Sequence, residues 1–157
     1  CAADGLIGED HNPEPHLIPL ILKAVKGERD AITVFGTDYE TPDGTCVRDY
    51  IHVEDLADAH IKAFTYLLSG KGPVICNLGT GVGFSVKEMI EAAERVTGKK
   101  VPVIYGDRRE GDPSHLVANP AKALAALGWK ASYTNIEDII ATAWKWENGE
   151  RKGRYSK

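Results

Sequence analysis

Cysteine is scarce in this chain, and long hydrophobic runs are missing. The three cysteines, Cys1, Cys46 and Cys76, form no C-x-x-C pair, so neither a disulfide framework nor a zinc knuckle is expected. Unpaired thiols favour a reducing, cytoplasmic location. No apolar run reaches the roughly 18 residues of a membrane span. The net charge of -4 argues against nucleic acid or an anionic membrane as a partner.

The 157 residues are enough for one domain with a single main core. The chain starts in CAADGLIGED, without a methionine and with the composition of a loop. We therefore expect a fragment of a longer protein.

Hydrophobic spacing predicts an α/β fold with α+β character, in which short strands alternate with amphipathic helices. Helices are predicted over 16–26, 54–69, 85–97, 120–127 and 135–148. The third should begin with a capping box, because Ser85 is followed three residues later by Glu88. Strands are predicted over 32–35, 50–53, 74–78 and 101–105.

The glycine-rich segment NLGTGVG, residues 77–83, is placed as a dinucleotide-binding turn would be, after a predicted strand and before a helix. Its spacing does not fit, because G-x-G-x-x-G requires glycine at position 84 and Phe84 is there. The spacing favours a strand-to-helix turn in which glycine supplies a positive φ.

Five histidines raise the question of a metal site, especially His11 and His16 in DHNPEPH, near Asp10 and Glu14. The segment is rich in proline, and no second ligand pair has compact spacing. The sequence therefore predicts no metal site.

Two basic segments are better candidates for a binding site. Arg48 follows the turn-like TPDGT, and Arg108 and Arg109 lie in GDRREGD with Asp112 beside them. Two guanidinium groups from separate loops can clamp a diphosphate, and a carboxylate can accept hydrogen bonds from sugar hydroxyls. The alternative, surface ion pairs of little energetic value, is slightly favoured by the chemistry alone.

Three long motifs change that balance: VFGTDYETPDGTCVRDYIHVEDLADAH, CNLGTGVGFSVKEMI and RREGDPSHLVANPAKALAALGW. In this order they resemble the C-terminal half of the UDP-glucose 4-epimerase family, which belongs to the extended short-chain dehydrogenases/reductases. The resemblance covers nearly the whole chain. It implies that residues 1–157 are the UDP-sugar-binding half, and that the N-terminal Rossmann domain that holds NAD is absent from this chain.

The resemblance also implies site residues. Arg48 and Arg109 would contact the diphosphate of UDP-glucose or UDP-galactose, and Asp112 would hold ribose hydroxyls. Leu17 would lie against the nucleotide.

Three further positions follow from the same motifs. Thr33 and Phe35 would border the uracil, and Tyr50 would lie near the phosphates or pack beneath them. Leu116 departs from the family pattern, which has an aromatic residue there, and leaves one contact in doubt.

The family's chemical groups are missing from the sequence. No tyrosine is followed four positions later by lysine, the pair that such enzymes use for proton transfer, so no catalytic residue is assigned. We expect the chain alone to be inactive and to bind no NAD, and the whole enzyme to be a homodimer. Two alternatives remain: half of another UDP-sugar enzyme (a decarboxylase, a dehydratase or an N-acetylhexosamine epimerase), or a non-catalytic sugar-nucleotide-binding domain.

Overall fold

The structure, a computed structural model, describes residues 1–149; residues 150–157 of the predicted UDP-sugar-binding half lie outside the described part. Its helices are α1 Leu17–Lys26, α2 Val53–Leu68, α3 Val86–Thr97, α4 Ala121–Leu127 and α5 Ile136–Glu147. Its strands are β1 Ile32–Phe35, β2 Val47–Asp49, β3 Gly83–Ser85, β4 Val103–Gly106 and β5 His115–Leu116. The predicted alternation of short strands with helices is confirmed.

Capping residues mark the start of α3 and the end of α1. Ser85 accepts the amide of Glu88 at 3.0 Å, and the Glu88 carboxylate accepts the amide of Ser85 at 2.7 Å. This confirms the predicted capping box. Helix α1 ends at Gly27, whose φ of 77° is the left-handed conformation that glycine adopts without strain.

The strands form two small sheets. Strands β1 and β4 pair in parallel, with Phe35 opposite Gly106. Strand β2 lies between β3, which is antiparallel to it, and β5, which is parallel. The two carboxyl ends of β1 and β4 therefore lie side by side, where parallel α/β sheets bind ligands.

The main core lies where α1, α3 and α5 pack on β1. Fully buried residues include Leu22 and Met89, each at 0% exposure, and Ile140 at 1%. A smaller core between α2 and α4 surrounds Trp129, whose indole N–H donates to the carbonyl of Asp55 at 3.0 Å. The buried Asp55 carboxylate accepts two further backbone amides, at 2.8 and 3.0 Å.

Two strand predictions are wrong. Residues 50–53 are not a strand: the strand ends at Asp49, and His52 then caps α2 by accepting the amide of Glu54 at 3.2 Å. Residues 74–78 form no ladder, because no other segment of residues 1–149 pairs with them, and Ile75 is 87% exposed. Strand β4 begins two residues later than predicted, and the short strands β3 and β5 were not predicted.

No helix within residues 1–149 combines the length and the apolar character needed to cross a membrane.

Candidate functional site

A cleft of about 350 Å³ lies at the carboxyl ends of β1 and β4, beside the start of α1. All seven residues that the motifs single out line it: Leu17, Thr33, Phe35, Arg48, Tyr50, Arg109 and Asp112. They come from the start of α1, from β1 and β2, from the residue after β2, and from the loop after β4. The structure therefore brings together residues that are up to 95 positions apart in the chain.

Arg48 is placed by the tight turn before β2. Gly44 in this turn has a φ of 80°, and a Cβ there would lie 2.1 Å from the carbonyl oxygen of Thr37. Asp43 accepts the amide of Thr45 at 2.9 Å and closes the turn. The Arg48 guanidinium then donates to the carbonyl of Val47 at 2.7 Å, which holds the side chain at the cleft.

Asp112 connects the two arginines of the cleft. One of its carboxylate oxygens accepts from Arg48, and the other accepts from Arg109 at 2.9 Å. Burial raises the pKa of the Asp112 carboxyl, but the hydrogen bonds from Arg109 and Arg48 outweigh it and hold this pKa below the ordinary 3.8. The three side chains form one network with a net positive charge, which suits an anion of two phosphates.

Strand β1 and Arg109 form one wall of the cleft. Thr33 and Phe35 line the cleft, whereas Val34 is buried in the main core at 2% exposure. Ile32 is also buried, at 3% exposure, and borders the cleft from the core. The Arg109 guanidinium carbon lies 4.8 Å from the centre of the Phe35 ring. The cleft wall therefore combines the aromatic ring of Phe35 with the positive charge of Arg109.

Tyr50 lines the cleft from the position directly after β2. Burial raises the pKa of its hydroxyl to about 12, although the nearby Arg48 lowers it. The phenol therefore stays protonated at neutral pH, so it can donate a hydrogen bond but does not act as a base.

Sequence reasoning missed several residues of the cleft. Arg29 and His16 add polar groups to its lining, and Cys46 donates to Asp112 at 3.8 Å. Leu20 and Val86 add apolar surface. The sequence does place Arg29 directly before the predicted strand β1. However, a single basic residue in a turn gives no chemical reason to assign it to a binding site.

A second cleft of about 510 Å³ also includes Arg48, together with Asp49, Cys76, Asn77 and Leu116. Leu116, the position that departs from the family pattern, therefore borders this second cleft and does not line the first.

The glycine-rich turn at residues 77–83 is filled by a side chain of the protein itself. The Asp49 carboxylate accepts the amides of Thr80 and Gly81, each at 3.0 Å, and the Thr80 hydroxyl at 2.7 Å. Gly81 has a φ of 75°, as predicted for such a turn. Because Asp49 occupies the amides that a pyrophosphate would need, the residues present here do not fit NAD.

Sequence comparison finds one matching family and several relatives. Residues 5–79 match the NAD dependent epimerase/dehydratase family. The UDP-glucose 4-epimerase of Streptococcus mutans is 52% identical over 150 residues, which cover 96% of this chain and 45% of the relative.

Solved structures of UDP-glucose 4-epimerases also resemble this chain. A UDP-glucose 4-epimerase crystal structure superimposes with a TM-score of 0.95 at 49% identity, covering 100% of this chain and 47% of that one. The UDP-glucose 4-epimerase of Bifidobacterium longum, solved with NAD+ and UDP, gives a TM-score of 0.88 at 41% identity. The match covers 97% of this chain and 45% of that one.

The chain thus spans somewhat less than half the length of the curated relatives that it matches. About half of its residues are identical to theirs over nearly its whole length, so the chain closely resembles one part of the UDP-glucose 4-epimerases.

Proposed function

We propose that this chain is the UDP-sugar-binding half of a UDP-glucose 4-epimerase, an isomerase that interconverts UDP-glucose and UDP-galactose. The observation that carries the proposal is the convergence of Arg48, Arg109 and Asp112 with the β1 residues Thr33 and Phe35 in one cleft. The cleft combines two cations, a carboxylate and an aromatic face, which are the groups that a uridine diphosphate requires.

In this proposal each part of UDP has its own contacts. The diphosphate binds between Arg48 and Arg109, whose remaining N–H groups are available while Asp112 keeps both guanidinium groups oriented. The ribose hydroxyls donate to Asp112, which its low pKa keeps ionised at neutral pH. The uracil lies near Thr33 and Phe35.

Binding through the nucleotide suits a 4-epimerisation. The sugar must turn over between two hydride transfers, so binding energy is best placed away from the reacting ring. NAD, held by another part of the protein, would supply the acceptor and donor of the hydride at C4. The NAD-binding Rossmann domain and the Tyr-x-x-x-Lys pair belong, in this proposal, to a part of the protein that precedes this sequence. The whole enzyme is then a cytoplasmic homodimer.

Calorimetric titration of the chain with UDP tests the binding role. Arg48→Ala and Arg109→Ala should each weaken UDP binding about tenfold or more, equivalent to about 1.4 kcal/mol. The matched control is Arg108→Ala: Arg108 is in the same loop but pairs with Asp38 at 2.7 Å and stacks on Tyr39 instead of lining the cleft. Unchanged affinity in both cleft variants, or an equal loss in the control, contradicts the proposal.

A coupled epimerase assay on the chain supplemented with NAD tests where the chemistry resides. We expect no turnover of UDP-galactose. Turnover by the chain alone would contradict the assignment of proton and hydride transfer to another part of the protein, while leaving the UDP titration as an independent result.

A further inference from the structure

The segment before α1 gathers two histidines and two glutamates at one place. Glu9, His11, Glu14 and His16 each offer one ligand atom, and these four atoms all lie within 4.8 Å of one another. The rings of His11 and His16 are 5.6 Å apart, centre to centre. The spacing within DHNPEPH argued against such a cluster, but the fold of the segment brings its side chains to one side.

Glu14 is the least exposed member of the cluster, with 4% of its side chain accessible. Its Oε1 accepts the backbone amide of His16 at 2.8 Å and lies 2.8 Å from the His16 Nδ1. Among residues 1–149, the ion pairs of this carboxylate involve His16 alone, and His16 is charged only when protonated. A buried carboxylate is stable when it is paired with a cation or coordinates a metal.

The second carboxylate approaches the same ring nitrogen of His16. Oε1 of Glu9 lies 3.7 Å from the His16 Nδ1. A divalent cation at the centre of the four side chains would contact both carboxylates and both imidazole rings.

The ligand types select the metal. Imidazole suits zinc and the neighbouring transition metals, whereas calcium and magnesium prefer sites made of oxygen alone. Tetrahedral zinc with bonds of about 2.0–2.1 Å to nitrogen and oxygen places its ligand atoms roughly 3.4 Å apart. The exposed side chains of Glu9, His11 and His16 need to move inward by only about 1 Å to reach that geometry.

We propose that Glu9, His11, Glu14 and His16 bind one divalent transition-metal ion of the zinc class. Four protein ligands complete a tetrahedron, so the site is structural and has no open position for a reacting group. His16 also lines the cleft, and the metal would fix this side chain at the cleft's edge.

Calorimetric titration of the untagged full chain with Zn²⁺ in a non-chelating buffer tests this site. We expect one ion per chain and at least a tenfold loss of affinity in His11→Gln and in Glu14→Gln. The amide of the second variant can still accept the His16 backbone N–H. The control is His60→Gln, which removes an exposed histidine from α2, where its Nδ1 contacts the carbonyl of Leu56 at 2.7 Å. This control should bind zinc as the parent does.

Co²⁺ absorption then checks the coordination. Intense visible bands typical of four-coordinate Co²⁺, lost in His11→Gln, support the site. The site is refuted by an absence of binding, by weak six-coordinate bands, or by equal affinity in the parent and the His11→Gln and Glu14→Gln variants. Melting curves in a chelator, equal for all four chains, exclude a folding defect as the cause of any loss.

Discussion

The guanidinium carbon of Arg109 lies 4.8 Å from the centre of the Phe35 ring, so a residue at the end of β1 supports a residue in the loop after β4. The contact positions a cation of the cleft whose side chain is 62% accessible. It also leaves part of the ring free, since Phe35 is 38% exposed.

Phe35→Leu should therefore weaken UDP binding by about three- to tenfold. The substitution removes a cation–π contact of about 0.5–1 kcal/mol, and also the aromatic face that the proposed function places next to the uracil. Titration calorimetry measures the effect, with Tyr105→Leu as control, because Tyr105 is an exposed aromatic of β4 that does not line the cleft. Equal affinities of the parent and Phe35→Leu would show that the ring plays no part in binding.

Lowering the pH should destabilise the fold through His52. Its Nδ1 accepts the amide of Glu54, so its Nε2 carries the proton and donates to Thr142 at 3.0 Å, and Thr142 donates to the carbonyl of Ile139 at 2.8 Å. Burial lowers the pKa of His52 from its ordinary 6.5, with a contribution from the positive N-terminus.

The direction of the pH effect follows from proton uptake. The unfolded chain binds a proton at His52 near pH 6.5, and the folded chain does so only at lower pH. The free energy of unfolding should thus fall as the pH drops below about 6.5, and level off below the folded pKa. Urea unfolding between pH 8 and 5 measures this fall. His52→Gln should flatten it and His60→Gln should preserve it; an unchanged slope in His52→Gln would assign the fall to other groups.

Asp49→Asn should destabilise the protein by about 1–3 kcal/mol, because an amide can replace only part of the acceptor capacity of the carboxylate. Asp49 accepts hydrogen bonds from Thr80, from Gly81 and from the amide of Ala118 at 3.3 Å. Chemical unfolding provides the measurement. Asp58→Asn is the control: it breaks an exposed pair with Lys62 and should change stability by less than about 1 kcal/mol. Equal effects of the two substitutions would argue against a structural role for the turn.

The chain should self-associate through one face of α2. Ile61, Phe64 and Leu68 are 66%, 63% and 72% exposed and follow helical spacing, so they form one apolar surface. Under the proposed function, this surface is covered by the Rossmann domain. Light scattering should show association that rises with concentration and is reduced by Phe64→Lys.

The control for this surface is Ile7→Lys, which places the same charge at an exposed apolar residue in the segment before α1. Ile7→Lys should associate like the parent. A parent chain that stays monomeric at high concentration would contradict the prediction.

The sequence predicted most of the fold where a local signal sets the structure. Caps such as Ser85 and stops such as Gly27 mark helix ends through hydrogen bonds within a few residues. The strand predicted at 74–78 failed because a strand also needs a neighbour, and residues 1–149 supply none there.

The cleft was predicted from motifs and not from local chemistry. Judged by residue chemistry alone, Arg48 and Arg109 could have formed ordinary surface ion pairs. Only the motifs predicted that both arginines belong to one diphosphate site. The sequence did not show that Arg29 lines the cleft or that the side chains around Glu14 converge, because both depend on how loops return in three dimensions.

The parallel pairing of β1 with β4 also affects how the protein is made. Ile32 pairs with Val103, 71 residues later, so this sheet closes only by a long-range contact. Contacts of such separation slow folding, because the loop must close before it is stabilised. During synthesis, Thr33 and Phe35 leave the ribosome long before Arg109 and Asp112. The cleft therefore cannot be complete until β4 and the loop after it have been made, because a nascent chain that stops before β4 lacks Arg109 and Asp112.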